Sequence, residues 1–196
     1  MPAFNFSNKL TILNNAIYFI KKHFLVILLL GLISAFGRVI QLGGFGEISS
    51  WANIVLEIIV ESSRILLFLF VLGLANVKKG MLRIWDLFTK KGMGRSIWNN
   101  SIQKLKKQWL SVLLNLSAFL IIAWMFNFLI DQLAYETCLY LSLKKHGVLV
   151  DRSSEWTILL FFKNLSVIPF TLVFETLLIL WVAGKLNSYK MSVEWI

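Results

Sequence analysis

The chain has 196 residues, of which 58% are hydrophobic and 15% charged, and a mean hydropathy of +0.73. A soluble domain of this length carries roughly 45–50% apolar and about 25% charged residues, so the composition excludes an ordinary water-soluble domain and points to one membrane domain. The net charge of +10 does not imply nucleic acid, because the basic residues flank apolar runs; anionic lipid headgroups are the expected counter-charge.

Residues 1–22 place Phe6, Leu10, Leu13, Ile17 and Ile20 three and four apart, with Lys9, Asn14, Asn15 and Lys21 elsewhere. That spacing predicts an amphipathic helix at the membrane surface or leading into the first span. The apolar run after Lys21 and Lys22 has too long a charged lead, and too poor a cleavage site near Ser34 and Ala35, for a secretory signal, so it reads as a retained span. This first span covers 23–42 and ends at Gly43, Gly44 and Gly46. The second covers 51–76, the third 108–130 and the fourth 157–184. Each reaches the roughly 20 residues that cross a hydrocarbon core. Helices are required, because the short alternating strands of a closed barrel are missing. Gly31 and Ala35 form a small-xxx-small pair suited to close helix contact. Pro169 is expected to kink the fourth span and free a carbonyl near Leu165.

Orientation follows the lysines and arginines. The connection 77–107 holds Lys78, Lys79, Arg83, Lys90, Lys91, Arg95, Lys104, Lys106 and Lys107 against one acid, Asp86. The turn between the first two spans holds only Glu47, and in 131–156 the bases Lys144, Lys145 and Arg152 are offset by Asp131, Glu136, Asp151 and Glu155. Lys9, Lys21, Lys22, Lys185 and Lys190 add to the basic side, which places both termini and the central connection in the cytoplasm, across a cell inner membrane. Within 77–107, Met81, Ile84, Trp85 and Phe88 share one helical face, and Trp98, Ile102, Leu105 and Trp109 share another beyond Gly92 and Gly94. Two short helices lying along the inner leaflet are expected, with lysines towards headgroups or a cytoplasmic partner.

The most informative residues are charges inside the spans: Arg38, Glu57, Glu61, Arg64 and Glu175. A charge at the bilayer centre costs about 2.5–3.5 kcal/mol on insertion scales, so each needs a partner. Glu57, Glu61 and Arg64 lie on one face at i, i+4, i+7. Counting helix rise brings Arg38 near Glu61, and places Glu175 near the midplane beside Asn115 and Ser117, where desolvation would raise its pKa. Either this polar cluster lines a path for an ion or solute, or it fixes which helices meet.

Residues 131–156 fit a hairpin or a helical continuation of the third span equally well. Cys138 is the only cysteine, which excludes an intramolecular disulfide and any multi-cysteine metal site and leaves inert burial or an intermolecular bridge. His23 and His146 belong to no zinc motif, and neither a nucleophile elbow nor a P-loop is present, so no catalysis, metal or cofactor is expected. The chain reads as an all-α, single-domain, polytopic membrane protein with four transmembrane helices and amphipathic interfacial helices. Its expected role is that of an accessory or structural subunit of a membrane assembly, bound to other membrane proteins or to itself. A small oligomeric transporter or channel is the next expectation, and a toxin- or peptide-immunity protein the third.

Overall fold

The computed structural model describes residues 10–89, 93–137, 139–151 and 153–186, without the side chains of 87, 88 and 93–98. Phe6, Lys9, Lys90, Lys91, Gly92, Cys138, Arg152 and Lys190 lie outside the described residues, as do the side chains of Phe88, Arg95 and Trp98. The described part is all-α. In chain order the helices are α1 (Thr11–Lys22), α2 (Phe24–Gln41), α3 (Ser50–Leu72), α4 (Val77–Thr89), α5 (Met93–Lys107), α6 (Trp109–Asp131), α7 (Leu139–Lys145), α8 (Glu155–Phe162) and α9 (Ile168–Val182). A π-helical turn, Gln132–Glu136, prolongs α6, and another, Lys163–Val167, joins α8 to α9. Of the two alternatives for 131–156, the structure takes the helical one.

Three stretches are long and apolar enough to cross a membrane: Phe24–Gln41, Trp109–Glu136 and Glu155–Val182. At 23 residues α3 is as long as α6, but it carries Glu57, Glu61 and Arg64. Pro169 is accommodated without a broken helix. The π-helical turn precedes it, so the proline falls at the first turn of α9, where a missing N–H matters least.

The α2–α3 pair and the α6–α9 pair are staggered. A Cβ on Gly31 would lie 3.4 Å from Asn164 O and 3.5 Å from Pro169 Cγ, so the middle of α2 is level with the start of α9. Counting about 1.5 Å per residue from there brings Phe24 level with Phe174. Phe174 in turn stacks on Phe119 of α6, with ring centroids 4.3 Å apart. Past this level α9 runs on by about 12 Å and α6 by about 15 Å, forming a lower tier.

α1 fills that lower tier, and its apolar face is spent on protein contact. Ile12, Leu13, Ala16 and Phe19 are buried in one cluster with Val173, Leu177, Leu180, Trp181 and Leu186. Asn14 and Lys21 face outward. Asn115 accepts the Leu13 N–H at 2.9 Å, satisfying one of the amides that a helix start leaves open, and donates to Ser111 O at 2.7 Å. α1 ends at His23, whose ring packs against Phe19 and Phe70 with centroids 4.7 and 5.4 Å away.

Two helices close the lower end, as the glycine-interrupted pattern predicts, although Gly94 itself lies inside α5. α4 folds back tightly on α3. A Cβ on Gly80 would run into Leu69 O, so only glycine allows that approach. Ile84 packs towards the main core, while Met81 and Trp85 are exposed. The predicted apolar face of α4 is thus divided between protein and surroundings. At the opposite end, Val39, Ile130, Tyr140, Leu149, Ile158 and Leu159 form a smaller cluster. There Val150 N donates to Gly44 O at 3.0 Å, tying the α2–α3 turn to the segment after α7.

Candidate functional site: a charged network on the α2–α3 face

Ser49 caps α3 by accepting the Ala52 N–H at 3.2 Å, which fixes the register that puts Glu57, Glu61 and Arg64 on the side facing Arg38 of α2. Small buried residues let α2 approach. Ser34 Oγ lies 2.5 Å from Ser63 Oγ, and Ala35 is fully buried beside them. The arginine then grips Glu57 with both terminal nitrogens, at 2.6 and 3.1 Å, and reaches Glu61 at 3.0 Å. Such two-point carboxylate recognition is the strong form of ion pair. Gln41 accepts from Arg38 at 2.9 Å and donates to Glu57 at 2.9 Å. Arg64 donates to Glu61 at 2.6 Å and to Asn164 Oδ1 at 2.8 Å.

Two guanidinium groups against two carboxylates leave the cluster formally neutral. Its layering is uneven. The side chains of Arg38 and Arg64 are 22% and 23% exposed, whereas Glu57 and Glu61 are 48% and 44% exposed. The acids therefore form the outer layer of the bundle face, with exposed Ile54, Ile58 and Ile65 around them. The site is a surface, not a channel lining. A cavity of about 470 Å³ and two of about 250 Å³ are lined by other residues.

Sequence reasoning missed Asn164 and Gln41. Asn164 stood out as one of few amides within the fourth apolar run. The π-helical turn carries it to 1% exposure, donating to Leu160 O at 2.8 Å. Lys163 next to it lies 3.8 Å from Asp131 across to α6.

Three members of the expected cluster are elsewhere. Glu175 is exposed on the outer side of α9 and does not meet Asn115 or Ser117. Arg64 contacts Asn164, eleven residues up the helix from Glu175 or about 16 Å. Asn115 is buried and bonded to α1, and Ser117 is exposed.

The basic connection also divides. Lys78, Lys79, Lys106 and Lys107 are exposed. Arg83 and Lys104 turn inward and satisfy carbonyls at helix C-termini. Arg83 donates to Leu72 O of α3. Lys104 donates to Trp181 O of α9 at 2.5 Å and lies 4.3 Å from the Trp181 ring centroid. Ser101 donates to Val182 O at 3.3 Å. These last-turn carbonyls carry partial negative charge, so cations suit them. Burial pulls the pKa of both Arg83 and Lys104 below its ordinary value.

Chemistry at the network is confined to pairing and hydrogen bonding. Among the described residues no group of three or more His, Cys, Asp or Glu could hold a metal ion. His146 is an exposed turn residue with Nδ1 2.8 Å from Ser142 O. Compared with protein-family models, with curated proteins and with solved structures, the chain matches none.

Proposed function

We propose that this chain is a non-catalytic subunit of a membrane assembly, crossing the bilayer four times and docking a partner helix through its α2–α3 face. In this reading α3 is the fourth crossing, because its 23 residues extend about 34 Å and its charges are paired. The basic lower end, with α4 and α5, and both termini lie on the cytoplasmic side of a cell inner membrane, following the lysine bias.

The observation that carries the reading is the outward position of the two carboxylates, 48% and 44% exposed, in front of the arginines. Hydrocarbon offers no donor to an exposed carboxylate oxygen, and leaving such a group bare is costly. A transmembrane helix presenting a lysine, arginine or other donor at that height would satisfy it. A second copy of this face would set acid against acid, since its arginines lie behind the glutamates.

Extraction in mild detergent, followed by identification of co-purifying proteins, tests the proposal. Ile58→Trp adds bulk to the exposed face (Ile58 is 62% exposed) without altering the ion pairs. It is expected to abolish co-purification while thermal stability in micelles stays unchanged. Undiminished recovery of the same partner would refute docking on this face. Liposome proton or ion flux that disappears in Glu61→Gln would replace the reading with transport.

A further inference from the structure

The cavity of about 470 Å³ at the lower end falls within the roughly 300–1,000 Å³ of small-ligand sites. Its walls come from α3 (Leu72), α5 (Ile102, Leu105), α6 (Val112) and α9 (Leu178, Ile179), and are almost wholly apolar. Polar side chains gather only at its margin. Arg83 and Lys185 line it together with one acid, Asp86. Lys104 is anchored at Trp181, directly behind the α9 wall. An apolar chamber with a cationic margin matches a molecule with a long hydrocarbon part and a negative head.

We infer that this cavity binds one anionic phospholipid, an acyl chain lying between α5, α6 and α9 and the phosphate resting against Arg83 and Lys185. Arg83 uses a single terminal nitrogen on Leu72 O, so other donors of its guanidinium remain for a phosphate among the described contacts. Burial works against the charge of Arg83 and Lys104, and an added anion offsets that penalty. A neutral lipid would fill the walls equally well but leave the margin without counter-charge. The inference goes beyond partner docking and does not depend on it, since the α2–α3 face lies elsewhere on the molecule.

Native mass spectrometry of the full chain tests it, after release from micelles containing equal phosphatidylglycerol and phosphatidylcholine. One retained phosphatidylglycerol per chain is expected. Ala183→Phe, which fills the cavity from its α9 wall, and Lys185→Gln should each reduce retention about tenfold. Replacing exposed Lys106 and Lys107 with glutamine should leave it unchanged. Equal retention of the two lipids would overturn the inference. So would loss on replacing Lys106 and Lys107 as large as with Lys185→Gln, which would indicate diffuse surface charge. A photo-crosslinker at Ile102 that reacts with residues 187–196 instead of lipid would assign the cavity to the chain's own tail.

Discussion

The upper α2–α3 face and the lower α4–α5 base use the same residue types in opposite ways. Above, Arg38 and Arg64 bond mainly to side chains, and the carboxylates they hold face outward. Below, Arg83 and Lys104 bond backbone carbonyls at the ends of α3 and α9. A side-chain ion pair leaves a full charge behind when one partner is removed. A helix C-terminus carries only about half a charge, spread over several carbonyls that water can also reach. Loss of a single cation should therefore be felt far more at the upper site.

Three substitutions can break or sharpen that contrast, each read as unfolding free energy in micelles. Arg38→Leu strands Glu57 and Glu61 and should cost at least about 2.5–3.5 kcal/mol, the scale for a charge left in a span. Asn115→Ala leaves the Leu13 N–H buried without its acceptor and should cost about 1–3 kcal/mol. Lys104→Met removes one cap from α9 and should cost about 0.3–1 kcal/mol, approaching 2 only if the site is fully desolvated. A Lys104→Met loss equal to that of Arg38→Leu would refute the distinction. Stability unaltered by Asn115→Ala would show that water reaches the start of α1.

Much of the upper site was legible because charge in an apolar run is rare and helix geometry is regular. Glu57, Glu61 and Arg64 announce a common face by spacing alone, and counting along two helices joined by a short turn brings Arg38 opposite them. Asn164 and Gln41 carried no such signal, since a neutral amide in an apolar run can face any neighbour. The π-helical turn that aims Asn164 inward has no clear mark in the sequence. Glu175 shows where counting fails. Height along α9 does not say which side of the helix meets protein, and the stagger of the two helix pairs moves Arg64 up to Asn164. The capping by Arg83 and Lys104 was illegible for a related reason. Positive charge beside a span marks orientation, but which carbonyl it reaches depends on where α3 and α9 end in space. α1 was read correctly as amphipathic, yet periodicity alone could not say whether its apolar stripe meets lipid or protein.

The hydrogen bond from Leu13 to Asn115 joins residues 102 positions apart. During translation, α1 leaves the ribosome roughly 5–20 s before its acceptor is made, at ordinary rates of elongation. The N-terminal helix is thus the first helix synthesised and among the last to be finished. A nascent chain halted before residue 115 would present α1 with its amide end bare and its apolar stripe unclaimed.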